Sequence, residues 1–148
     1  QKAEFWANRG AAKGAIQQYQ AALADLTQAI QLDPEHLNSL SNRSLLYYQT
    51  QQFGKALADI EQYLLLRPND SDMWYEKALA LRNLGREQQA LESLNRAIQL
   101  NNTVGLYFYE RARVNGRLNR QQQALQDLQQ ARNLGLDIPQ SAFDQFSQ

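Results

Sequence analysis

The segment ALADLTQAIQLDP, from Ala22 to Pro34, returns three times along the chain: as ALADIEQYLLLRP from Ala56, ALESLNRAIQLNN from Ala90 and ALQDLQQARNLGL from Ala124. The interval is 34 residues each time. A fixed period of that length means that one small supersecondary unit is copied and stacked, because a single unit of this size cannot bury its own apolar face. Architecture and broad class of function follow from the period; the identity of a partner does not.

Each period reads as two helices. In the first, Phe5, Trp6, Ala12 and Ile16 stand at helical rather than strand spacing, which predicts a helix over about Ala3 to Gln17 and a second over Tyr19 to Leu32. Asp33-Pro34 closes that helix, since proline cannot continue it and disfavours helical geometry in the residue before it. The later pairs are expected at about Leu37 to Thr50 with Phe53 to Leu66, Ser71 to Leu84 with Glu87 to Leu100, and Val104 to Leu118 with Gln121 to Leu134. Ser71 is the expected N-cap of its helix, and Gly85 and Asn119 mark breaks between paired helices. Gly14 and Gly116 leave bare backbone on their helices and predict local fraying or close approach of a ligand. Pro139 to Phe146 reads as a short ninth helix, with Phe143 and Phe146 on one side, capping the apolar face of the last repeat. The expectation is a single domain over residues 1–148, with repeats at about 3–36, 37–70, 71–104 and 105–138 and a capping helix at about 139–147. The first repeat opens almost at Gln1, from which a segment of a longer protein is expected.

Lysine plus arginine and aspartate plus glutamate number 15 each, so no net field draws the molecule toward nucleic acid or an anionic membrane. There is no cysteine, which removes disulfides, thiolate catalysis and cysteine metal sites. No apolar run approaches the roughly 18 residues needed to span a bilayer, so direct membrane insertion is not expected. The one histidine, His36, falls in the turn after Pro34, where a solvated side chain is expected rather than a base or a ligand. No cysteine–histidine or metal constellation can be assembled, a serine–histidine pair would rest on His36 alone, and Glu76 with Glu110 reads as recognition rather than an acid–base pair, so the expectation is a non-enzyme without cofactor.

Aligned on its period, the chain resembles the tetratricopeptide repeat family. The family's aromatic slot holds Trp6, Leu40, Trp74 and Phe108, its small slot Gly10, Ser44, Ala78 and Ala112, and its later alanine Ala22, Ala56, Ala90 and Ala124. Departures are equally clear. The tyrosine slot is filled only by Tyr47, and the alanine near the end of the second helix is Ala29, Ala97 and Ala131 but Tyr63 in repeat two, where looser or rearranged packing is expected. The family's leucine slot is basic throughout: Arg9, Arg43, Lys77 and Arg111. Basic heads near a packed seam need acidic partners. Asp25, Asp59 and Asp127 share one slot on the second helices, with Ser93 in the repeat that carries lysine, so three Arg–Asp bridges are expected, in repeats one, two and four.

The resemblance implies an all-α, right-handed α-solenoid of four helix-turn-helix repeats plus a C-terminal capping helix, binding a peptide or helix of another protein in a concave groove lined by the first helices. Groove positions carry over to Asn42 and Tyr48 in repeat two, Tyr75, Glu76 and Arg82 in repeat three, and Tyr109, Glu110 and Arg113 in repeat four. Glu76 and Glu110 favour a basic or amide-rich ligand, while Arg82, Arg113 and Arg117 make the deeper end basic. Chaperone-binding members hold a terminal carboxylate through slots that here read Ala7, Ala11, Asn42, Asp72 and Glu76, so an acidic chaperone tail is not expected. The alternative is an assembly module that self-associates through its ends or convex faces, with Phe5 and Trp6 in the contact; this leaves a homo-oligomer open.

Overall fold

A computed structural model describes residues 1–147. Gln148, the last residue of the expected span, lies outside the described residues. Among the described residues there are nine helices and no strand: α1 (Lys2–Ala15), α2 (Tyr19–Leu32), α3 (Leu37–Gln49), α4 (Phe53–Leu66), α5 (Ser71–Asn83), α6 (Glu87–Leu100), α7 (Gly105–Arg117), α8 (Gln121–Asn133) and the short α9 (Gln140–Asp144). The chain divides into two compact units, one ending at Pro68 and the other beginning at Asn69. In the first, α1 packs on α2, α3 on α4, and α3 also on α2. In the second, α5 packs on α6, α7 on both α6 and α8, and α9 on α8.

Every turn inside a repeat is built the same way. Gln17, Gln51, Gly85 and Asn119, one period apart, take left-handed backbone with φ of 61°, 59°, 71° and 57°. The following amide then reaches back to an orphaned carbonyl of the first helix: Gln18 N–H to Lys13 at 2.9 Å, Gln52 to Tyr47 at 2.7 Å, Arg86 to Leu81 at 2.9 Å and Arg120 to Asn115 at 2.9 Å. Turns between repeats differ, for Asp33 and Asn101 are extended, with φ of −144° and −148°. The cap of α5 is Asp70, not Ser71: its carboxylate accepts the N–H of Met73 at 3.1 Å, where negative charge also meets the positive helix end. His36 is likewise a cap and not a solvated residue. Its Nδ1 accepts the N–H of Ser39 at 3.2 Å, which leaves Nε2–H to donate to Glu4 at 2.8 Å.

Small residues set how closely the helices approach. Ala22, Ala56, Ala90 and Ala124 are wholly buried, as are Ala29, Ala97 and Ala131, whereas Tyr63 in the latter slot is only half-buried. The backbone of Gly116 is helical and not frayed, and the ring of Phe146 lies where its Cβ would be. Phe143 and Ile138 complete this C-terminal cluster with Phe108, Ala112, Leu128 and Ala131.

The basic slot is satisfied by the aspartate slot. Arg9 donates to Asp25 from Nε at 2.7 Å and Nη2 at 2.8 Å; Arg43 grips Asp59 at 2.8 and 2.7 Å, and Arg111 grips Asp127 at 2.9 and 2.7 Å. The remaining nitrogen of two of these arginines reaches the second helix of the preceding repeat, Arg43 Nη1 to Thr27 at 3.1 Å and Arg111 Nη1 to Asn95 at 2.9 Å. In repeat three Lys77 lies 5.2 Å from the Trp74 ring centre and Ser93 donates to the Gln89 carbonyl at 3.1 Å.

Two outcomes are expected. Gln51→Gly relieves about 1–2 kcal/mol of left-handed strain, less the entropy glycine adds to the unfolded chain, so urea unfolding should show a gain of about 0.5–1 kcal/mol. The Arg9 guanidinium, with help from Lys13 at 2.8 Å, holds the Asp25 carboxyl down at about 2. A depressed folded-state value contributes stability above the ordinary aspartate range that is lost as pH falls through 2. Asp25→Asn should therefore be less stable than wild type at pH 6, and the gap should narrow steadily between about pH 4 and pH 2.

Candidate functional site

With the cores and bridges occupying one side of each first helix, the opposite side is left to residues that the packing does not dictate. In the first unit that face belongs to α1 and α3. They enclose a cleft of about 170 Å³ lined by Ala11, Gly14, Ala15, Leu26, Asn42, Leu45, Leu46 and Gln49. Leu45 is 46% exposed and the amides of Asn42 and Gln49 flank it. Tyr48 lies on the same helix, its ring edge-on to Phe53 of α4 with centres 5.3 Å apart.

In the second unit the face belongs to α5 and α7, which carry the other six expected site residues. Tyr75 stacks on Tyr107 at 5.2 Å with the planes 29° apart. Tyr107 is 1% exposed and donates its hydroxyl proton to the Asp72 carboxylate, with Ser71 Oγ at 3.2 Å. Burial first, and the Asp72 contact second, push its phenol up to about 12. Burial also raises the half-buried Glu76 carboxyl to about 7, helped by the nearby charges of Asp70 and Asp72.

Further along the same two helices Glu110 turns inward. Its side chain is 9% exposed and lies between two guanidiniums, Arg113 Nη1 at 2.9 Å and Arg82 Nε at 3.4 Å. A ligand would meet Arg113 before it met this carboxylate, whereas Arg82 is only 11% exposed. Arg113 stands 43% exposed with its guanidinium 6.0 Å from the Tyr109 ring centre, and Arg117 pairs with Glu87 at 3.2 Å. Tyr109, Arg113 and Arg117 border a second cleft toward α9.

The eight expected residues thus divide between the two units, Asn42 and Tyr48 in the first and Tyr75, Glu76, Arg82, Tyr109, Glu110 and Arg113 in the second, where Arg82 and Glu110 are largely buried. Tyr107 was not among them. Two of its slot-mates, Ser39 and Met73, are also buried, whereas the third, Phe5, is 57% exposed, so the period does not by itself mark the position as inward. The α9 contribution carried no signal in the period, because α9 stands outside it.

Among the described residues no group of three or more histidine, cysteine, aspartate or glutamate side chains is placed to hold a metal ion, and no helix is long and apolar enough to cross a membrane. Helix pairs on a fixed period, with unconstrained polar and aromatic residues on the first helices, define an all-α protein-interaction scaffold. The chain belongs to the tetratricopeptide repeat family, whose model matches residues 16–73 and again 44–104. No curated protein matches the chain significantly. Among solved structures it is similar to MamA from residue 41 to its end, from Desulfovibrio magneticus RS-1, at 20% identity and a TM-score of 0.85 over 89% of this chain and 75% of that one. A crystal structure of MamA matches at 16% identity and 0.87 over 90% and 73%, and MamA MSR-1 at 21% and 0.83 over 90% and 77%. At these identities the likeness is one of fold.

One titration is diagnostic of the α5 face. A carboxyl raised from 4.5 to about 7 contributes stability below its unfolded value that is lost as pH rises through 7. Glu76→Gln should unfold at the same denaturant concentration as wild type at pH 4. At pH 8 it should be more stable by about 1–2 kcal/mol, discounted for the solvent that still reaches the group.

Proposed function

We propose that this chain docks a peptide or helical segment of a partner protein along the first-helix faces. Asn42 and Tyr48 make contacts in the first unit, Tyr75, Glu76, Arg82, Tyr109 and Arg113 make them in the second, and Glu110 holds the two arginines in place. The observation that carries the reading is the α1–α3 cleft. Leu45 offers apolar area and the Asn42 and Gln49 amides offer both donors and acceptors, the combination an extended backbone with an apolar side chain requires. Its walls belong to helices fixed by Arg43–Asp59 and Arg9–Asp25, so little ordering is left to be done on binding. We infer no catalytic role and no nucleic-acid ligand: His36 is committed to capping α3, and the charges sum to zero.

A second reading, self-association through α1, is favoured by one observation. Phe5 and Ile16 are 57% and 64% exposed, whereas Met73 and Tyr107, in the slot of Phe5, are 4% and 1% exposed. Sedimentation velocity over a range of concentrations tests it; a single monomeric species throughout removes it.

For the docking reading, a displayed library of random peptides is selected on the full chain and the recovered peptide titrated calorimetrically. Leu45→Arg should weaken it at least about tenfold, equivalent to about 1.4 kcal/mol. Leu65→Arg, on α4 at a position 83% exposed, should leave it unchanged. Equal affinity for wild type and Leu45→Arg would remove the α1–α3 cleft from the site.

A further inference from the structure

On the second unit, α7 and α9 leave between them a cleft of about 410 Å³. Gly116 has no side chain, so the Phe146 ring packs directly on the α7 backbone, and with Leu128 and Ala142 it makes the apolar part of the lining. Its rim carries the guanidiniums of Arg113 and Arg117, the phenol of Tyr109 and the amide of Gln145. No carboxylate is among the described residues that line it. Just behind the rim, three guanidiniums share two carboxylates: Arg82 and Arg113 divide the buried Glu110, and Arg117 has Glu87. One positive charge is left over. Arg113 and Arg117 make their ion pairs through Nη1 alone and are 43% and 49% exposed, so each has further donors to offer from its fork.

We propose that this cleft docks a segment of a partner protein in which an acidic side chain stands beside a large apolar one. The carboxylate lies across Arg113 and Arg117, and the apolar side chain lies on the Gly116–Phe146 floor. This rests on the reading of the chain as a docking module and names the chemistry of the partner at its C-terminal end. Charge complementarity selects the acid, since a base would meet two guanidiniums and no carboxylate. The apolar floor selects a protein segment over a nucleic acid, whose phosphates would leave it uncovered. Tyr109 and Gln145 supply the polar groups a peptide backbone can use.

The test is fluorescence anisotropy on the full chain with a fluorescein-labelled peptide, Ser-Gly-Asp-Glu-Leu-Phe-Gly-Ser. Saturable binding that weakens as salt rises is expected. Replacing Asp-Glu by Asn-Gln, or Leu-Phe by Ser-Ser, should each cost about tenfold or more, the effect of losing a charge-assisted pair or an anchoring side chain. Arg117→Ala should cost at least about fivefold, and Leu65→Arg, on α4 at an 83% exposed position, nothing. The inference is overturned if the Asn-Gln peptide or the Arg117→Ala protein binds as well as its parent, if an oligothymidylate displaces the peptide at equal concentration, or if no binding is seen at millimolar peptide. Failure here while library-selected peptides still depend on Leu45 removes the α7–α9 cleft and leaves the α1–α3 docking reading standing. Binding here with no peptide dependent on Leu45 does the reverse.

Discussion

A buried carboxylate that must be paired governs how this chain assembles. Asp25, Asp59 and Asp127 are each about 5% exposed, on helix faces otherwise made of alanine, leucine and isoleucine. Left alone, such a charge in a packed seam costs several kcal/mol. The planar fork of arginine meets both oxygens at once and so fixes the rotation of one helix against the other. A third nitrogen then carries the contact to the preceding repeat, through Thr27 in one case and Asn95 in the other. One side chain sets the geometry of a pair and the stacking of a neighbour. Lysine, a point charge on a flexible stem, could not do both, and repeat three accordingly has Ser93 where the aspartate would be.

The turns complete this constraint from the backbone side. A left-handed residue at the same place in every repeat reverses the chain in two residues and returns the freed amide to the helix just finished. With wholly buried alanines at the crossing, the helices of a pair have little freedom in distance or angle. The alanines at the crossing, Ala22, Ala56, Ala90 and Ala124, are therefore the same in every repeat. Variation on the first helices is illustrated by two slots, one of which holds Asn42, Glu76 and Glu110 and the other Leu45, Leu79 and Arg113. A scaffold of this kind gives function to residues that the fold does not need.

Electrostatics distinguishes the two ends of the second unit. Around α5, burial and the neighbouring charges of Asp70 and Asp72 raise the Glu76 carboxyl, and Tyr75 stacks on Tyr107 on the same pair of helices. Around α7, the carboxylate of Glu110 is turned inside beside the largely buried Arg82, and Arg113, its other partner, faces out. The same residue type at equivalent slots, Glu76 and Glu110, thus has opposite consequences. Guanidiniums lie within reach of Glu110, whereas Asp70 and Asp72 are the charges near Glu76.

Much of the fold was legible in the residues. The period of 34 located the eight repeat helices to within two residues at each end, because apolar spacing and turn chemistry agree in every copy. The shared slots of Arg9, Arg43 and Arg111 with Asp25, Asp59 and Asp127 identified the bridges, since a basic head beside a seam has few ways to be satisfied. Less of the site was legible. That Glu110 points inward depends on Arg82 arriving from another helix, and that Gly116 holds a phenylalanine depends on where α9 returns. Neither is a property of local sequence. Gln17 and Gln51 gave no warning of left-handed backbone either, because the turn is imposed by the packing of the helices on both sides. What the sequence determined by itself was the set of repeating interactions, which recur and so announce themselves; what only the tertiary structure decided was the orientation of the side chains between repeats, where each contact occurs once and is set by three-dimensional neighbours.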